Sequence, residues 1–271
     1  MIREDLREEI EIKLKKIRDN PDVYDERARL VRDDIRAMAD IYSFWIENPD
    51  LRKRLIIPGR NVTSQKLKKM AKVGIRQIND AWHFLMQFGS QRDFYKVINP
   101  EIIKGTNARI NGDRGRSSFR EKDVTLNFDY TPPSFERVPE RVDEVIERIQ
   151  QKHEKNPLET AIYAHLGIAL VQPFAYGNKR TARLIQDRLL VDSGLPPAII
   201  SAGEAKLYFD VLKRVAPAYS MRDESGQVLF YNYIASKVNN GLDIILNDLG
   251  IGSLPENSSG LRYDSSLDLK I

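Results

Sequence analysis

The sequence predicts an all-α protein with one short β segment. Three observations carry that expectation. Apolar residues recur at helical spacing along most of the chain, proline and asparagine mark helix starts, and strict alternation occurs in a single stretch. Composition sets the bounds. The 271 residues, 41% of them hydrophobic, suffice for one large domain or two small ones. Lys plus Arg number 43 against 39 Asp plus Glu, and the net charge of +4 with both signs interleaved is thin for a dedicated nucleic-acid binder. The absence of cysteine excludes a disulfide scaffold and fits a reducing compartment. The longest uncharged apolar stretch, residues 161–174, is shorter than a membrane span, which takes about 20 residues. Glu4 and Asp5 stand where a signal peptide would be basic, and no apolar h-region follows, so the expected location is cytoplasmic, with no membrane partner.

Ile10, Leu14 and Ile17 share one face of a first helix, which Asn20-Pro21 ends. A second helix is predicted over 25–47, with Leu30, Ile35, Met38, Ile41 and Tyr42 as its apolar positions. Asn48-Pro49 stops it, because the residue before proline avoids the α region. Thr63 or Ser64 is the expected cap of a third, which runs through Ile75, Ile78 and Trp82 to Phe88 with Gly74 as its weak point. The pattern changes over 98–133. Asn111-Gly112-Asp113, then Gly115 with Ser117-Ser118, mark turns. Val124, Leu126, Phe128 and Tyr130 alternate with Thr125, Asn127 and Asp129 as a half-buried strand, which Pro132-Pro133 ends. A lone strand needs a short hairpin partner or a ligand strand. Helices resume near Pro139, with Val142, Val145, Ile146 and Ile149 on one face. The next begins with Asn156 as cap, Pro157 at the first helical position and Glu159 after it, and runs to about Val171. A further helix runs from Asn178 to Ser193-Gly194, and helical patterning continues through Leu249 before a Ser-rich tail over 250–271.

The stretch richest in chemistry is Gln172-Pro173-Phe174-Ala175-Tyr176-Gly177-Asn178-Lys179-Arg180-Thr181-Ala182-Arg183. A helix stops, a glycine turns the chain, and a new helix starts with Asn178 as its expected cap. First-turn amides lack intrahelical partners and carry the positive end of the helix dipole. Lys179, Arg180 and Arg183 add cations there, which oppose the dipole unless an anion is present. Free amides, a glycine and guanidinium groups together ask for phosphate.

This string resembles the Fic motif, written His-Pro-Phe-x-Asp/Glu-Gly-Asn-Gly-Arg-x-x-Arg; Pro173, Phe174, Gly177, Asn178, Arg180 and Arg183 match it. The resemblance implies a Fic-type helical bundle with a short β-hairpin flap, and a protein of the AMP-transferase type. Such proteins move AMP from ATP to a hydroxyl of a target protein. It implies a Fic-like domain over 43–235, an N-terminal helical extension over 1–42, and a C-terminal helix and loose tail over 236–271. ATP is the implied substrate or ligand. Phe174, Gly177, Asn178, Lys179, Arg180 and Arg183 would contact the nucleotide, Arg180 clamping its phosphates and Arg183 holding the terminal one. Gln172, Asn178 and Arg180 occupy the catalytic positions. Val124, Thr125, Leu126, Asn127 and Phe128 would dock an extended target segment by main-chain pairing.

Three departures from the motif matter. Gln172 stands where the family has its general base, and an amide orients a hydroxyl without taking its proton, a loss worth about 10²–10⁴ in rate. Tyr176 replaces the acid that binds Mg²⁺, so the expected metal ligand is missing. Lys179 replaces the second glycine, as in the Doc relatives that transfer phosphate. His165 lies about 10 Å up its helix from Gln172 and cannot easily serve as base; His83 and His153 carry no positional signal. Ser43-Phe44-Trp45-Ile46-Glu47-Asn48 is similar to the family's inhibitory helix, Ser/Thr-x-x-x-Glu-Gly/Asn, which implies that Ser43, Glu47 and Asn48 restrain the site by pairing Glu47 with Arg183. Catalysis is therefore expected to be impaired. The alternatives are a non-catalytic nucleotide- or peptide-binding module and a Doc-like protein kinase.

Overall fold

The computed structural model describes residues 1–20, 27–48, 61–89, 93–113, 117–126 and 130–251. In chain order the helices are α1 (Glu4–Arg18), α2 (Arg27–Glu47), α3 (Asn61–Leu85), α4 (Phe94–Val97), α5 (Pro100–Ile110), α6 (Val138–Lys152), α7 (Pro157–Val171), α8 (Asn178–Asp192), α9 (Ala205–Ser220) and α10 (Val228–Asp248). The all-α expectation holds among the described residues.

The centre is the antiparallel hairpin of α7 and α8. His165 meets Gln186 midway along it and Gln172 meets Asn178 at the turn. From Thr160 to Val171, α7 is buried on nearly every side, Tyr163 excepted, because its sequence is apolar all round. Helix α6 covers it with Val142, Val145 and Ile149, the face the periodicity marks. Helix α1 lies parallel to α10: Arg3 meets Asn232 at 2.8 Å and Lys13 meets Asp243 at 2.6 Å. Helix α2 crosses α3 and α10 and reaches α8. Gly74, the weak point of the third helix, is where it does so. A Cβ there would stand 2.0 Å from the Phe44 ring, so only glycine lets α2 approach this closely.

Several expectations need correction. Residues 98–133 hold a helix, α5, which the turn signals of that stretch did not indicate, and α4 comes just before them; Asn99 caps α5, its side chain accepting from the Ile102 amide, with Pro100 inside the first turn. No strand occurs among the described residues. Val124, Thr125 and Leu126 run without repetitive structure, and Asn127 and Phe128 lie outside the described residues, as do Pro21, Pro49, Gly115 and the tail beyond 251. The ends of this segment are tied by side chains instead of a backbone ladder: Asp123 accepts from the Phe135 amide at 2.8 Å. Asn156 makes no capping bond, and Glu159 accepts from Ile2 and Arg7. Gly177, not Asn178, is the N-cap of α8, in the left-handed region at φ 78°. The divisions expected at 42/43 and 235/236 fall inside α2 and α10, both unbroken.

Candidate functional site

Gln172 ends α7 in the left-handed conformation, φ 51°, and is buried. Both ends of its amide are engaged. Nε2 donates to the Ala169 carbonyl, and Oε1 accepts from Asn178 Nδ2 at 3.0 Å. Asn178 turns back from its helix onto the loop, its Oδ1 accepting from the Phe174 amide and its Nδ2 donating to the Phe174 carbonyl, each at 2.8 Å. The asparagine thus shapes the turn instead of capping α8. No side chain caps that helix, so its first-turn amides stay open to an outside anion. Phe174 is buried beside Phe119, and Tyr176 projects from the loop with 78% of its surface exposed.

The cations at the turn differ in how firmly they are held. Lys179 extends over the Phe209 ring, 5.4 Å from its centroid. Arg180 makes only long contacts, 3.4 Å to the Ile110 carbonyl and 3.4 Å to Asn111 Oδ1. Burial pulls its pKa down and Glu47 opposes that. Arg183 is buried and gripped by α2: Nε donates to Ser43 Oγ at 2.8 Å, and Nη2 donates to the Ser43 carbonyl and to Glu47 Oε1, both at 3.1 Å. Nη1 has no partner. Burial works against the Arg183 charge, and Tyr208 and Glu47 more than offset it. Asn48, just past the end of α2, turns back onto it, its Nδ2 donating to the Phe44 carbonyl at 2.8 Å. The fold therefore brings Ser43 and Glu47 onto Arg183, and Gln172 onto Asn178.

Residues that sequence reasoning passed over hold this loop. From α5, Asn107 Nδ2 donates to the Tyr176 carbonyl at 2.8 Å, and Asn111 lies beside it. Arg120 is buried, donating from Nε to the Gln172 carbonyl at 2.8 Å, from Nη1 to the Lys122 carbonyl and from Nη2 to the Pro133 carbonyl. Its own amide donates to the Pro173 carbonyl at 2.9 Å. One guanidinium thus joins the α7–α8 turn to both ends of the 122–133 segment. Unrecognised α5 hid the asparagines, although Asn99-Pro100 signalled it; Arg120 carried no local signal. His165 is wholly buried, bonded at both ring nitrogens, and offers no lone pair to the loop. His83 is exposed, and His153 stacks on Tyr95. A cavity of about 660 Å³ opens beside the first half of α7. Its arginines are already paired, Arg141 with Glu144 and Arg148 with Glu224.

These features define an all-α domain organised around a basic helix–turn–helix. Residues 91–190 match the Fic/DOC family, and the chain carries a Fic/DOC domain. It is similar to the protein adenylyltransferase fic-1 of Caenorhabditis elegans, 34% identical over 82 residues that span 30% of this chain and 16% of that protein. In fold it resembles a Fic domain containing signaling protein from Bacteroides thetaiotaomicron, with TM-score 0.72, 17% identity, and coverage of 91% of this chain and 99% of that one. It also resembles C. elegans Fic-1, residues 134–508, with TM-score 0.60, 19% identity, and coverage of 89% and 74%.

Proposed function

We propose that the chain binds ATP at the start of α8 and is of the AMP-transferase type, directing AMP to a hydroxyl of a target protein, with α2 restraining it. The observation that carries this is Arg183, a buried guanidinium at a helix start whose one anionic contact, Glu47, comes from a separate helix. In this scheme the first-turn amides and Gly177 receive the inner phosphates, and Lys179 and the loosely held Arg180 close on them. Arg183 takes the terminal phosphate once Glu47 leaves. Carboxylate and phosphate compete for one guanidinium, so ATP and a seated α2 exclude each other from the productive pose. An extended segment of the target docks along 124–128. Transfer is slow without a base at Gln172. Tyr176 offers a phenol where Mg²⁺ takes a carboxylate, so the donor set does not fit the metal and no step runs through it.

A second function, nucleotide binding without transfer, is favoured by one observation: both ends of the Gln172 amide are engaged within the protein, by Ala169 and Asn178. Labelled ATP separates the two. Wild type, Glu47→Gly and Gln172→His are incubated with α- or γ-labelled ATP, with and without Mg²⁺. Label from the α position on protein supports AMP transfer, and γ label alone means a kinase. Binding without either label means a non-catalytic module. Calorimetry should show tighter ATP binding by Glu47→Gly, and identical affinity and stoichiometry in the two proteins would remove the inhibitory role of α2.

A further inference from the structure

Next to Arg183 runs a chain of buried polar side chains that the phosphate scheme does not use. The Arg183 guanidinium lies over the Tyr208 ring, 5.3 Å from its centroid. Tyr208 Oη is 2.9 Å from His165 Nε2, and His165 Nδ1 is 2.7 Å from Gln186 Oε1. Gln186 Nε2 donates to Asp187 Oδ1 at 3.2 Å, and the Ala198 amide donates to the same oxygen at 3.1 Å. Tyr208, His165 and Gln186 are wholly buried.

The directions of these bonds follow from how the Gln186 amide is turned. Asp187 Oδ1 takes two N–H groups and is an acceptor whether or not the carboxyl carries a proton on its other oxygen. Gln186 turns its nitrogen toward Asp187 and its oxygen toward His165. That oxygen only accepts, so the His165 proton sits on Nδ1 and Nε2 is a bare lone pair. Tyr208 must donate to it. With its proton committed there, the phenol leaves only oxygen lone pairs for the neighbouring guanidinium, and donation runs one way from Tyr208 to Asp187. Burial and the nearby Arg183 charge both keep His165 neutral. A charged or Nε2-protonated ring would turn the hydroxyl dipole against Arg183.

We infer that His165 and Tyr208 are positioning residues of the terminal-phosphate clamp. By fixing the phenol's direction they keep Arg183 aimed after Glu47 leaves, and so set the preference for a ligand with a third phosphate. This rests on the ATP reading above.

The test uses the full chain with Glu47→Gly as parent. Tyr208→Phe keeps the ring and removes the hydroxyl, His165→Leu removes the acceptor, and His165→Gln keeps one. Calorimetry with ATP and with AMP, beside melting temperatures, should show Kd for ATP rising about tenfold in Tyr208→Phe and His165→Leu, equivalent to about 1.4 kcal/mol. AMP affinity should stay constant, and His165→Gln should return most of the ATP affinity. Unchanged ATP affinity in both loss variants, or equal losses for ATP and AMP, would overturn the inference while leaving ATP binding intact. A parent that binds no ATP would remove the ATP reading and the inference with it. Nitrogen-15 NMR of the unaltered protein reads the tautomer independently of any variant: His165 protonated at Nδ1 from pH 5 to 9 is expected, and an Nε2–H ring overturns it.

Discussion

Gln172 holds a left-handed backbone at φ 51°, which costs a non-glycine residue about 1–2 kcal/mol. Its carbonyl is fixed by Arg120, 52 positions earlier in the chain. Arg120 satisfies three buried or half-buried carbonyls at once, and removing a donor leaves each acceptor with about 1–3 kcal/mol of unmet desolvation. Arg120→Leu should therefore lower stability by about 3 kcal/mol or more in urea denaturation; a loss under about 1 kcal/mol would show that water replaces the guanidinium at all three. The two kinds of residue here differ in legibility. Gly177 was readable because a turn between two helical patterns needs a left-handed residue. Arg120 and Asn107 were not, because their partners lie at long range, and nothing in their neighbours marks them.

At the scale of elements, α2 and α8 meet through buried acids as well as through Arg183. Burial pushes Asp187 on α8 up to about 7 and Asp40 on α2 up to about 6. The folded protein holds the Asp187 proton more tightly than the unfolded chain does. That stabilisation is complete below about pH 4 and is lost as pH rises through 7. His165 has the opposite sign. Burial pushes it down to about 3, so its contribution is present above pH 6.5 and lost as pH falls. The two offset each other between about pH 4 and 6.5. Asp187→Asn keeps the acceptor oxygen and removes the titration. It should match wild type near pH 4 and gain relative stability, on the order of 1–4 kcal/mol, by pH 8. A difference that stays constant with pH would exclude Asp187 as the titrating group. Helix existence was mostly legible from periodicity, as in α6, α7 and α8. Helix ends were less so. Asn178 looked like a cap by residue type, but the sharp turn needed the glycine before it, and the asparagine then served the loop.

Across the whole molecule, α2 and α5 both reach the α8 start from outside the central hairpin, and α2 is the one that brings a carboxylate to Arg183. Seated ATP should displace α2, raising amide hydrogen exchange over 32–48 in wild type while α7 and α8 stay protected. Uniform protection on adding saturating ATP would mean that the nucleotide and α2 do not compete. The sequence alone determined most of the helices, the turn between α7 and α8 and its concentration of cations, since periodicity, capping and turn chemistry are set by residues a few positions apart. Only the tertiary structure decided how firmly each cation is held. Arg183 and Glu47 are 136 positions apart, and their pairing depends on a 3.1 Å approach inside a buried interface. Burial strengthens a charge contact and removes the water that would otherwise satisfy it, and no local pattern in the chain encodes that.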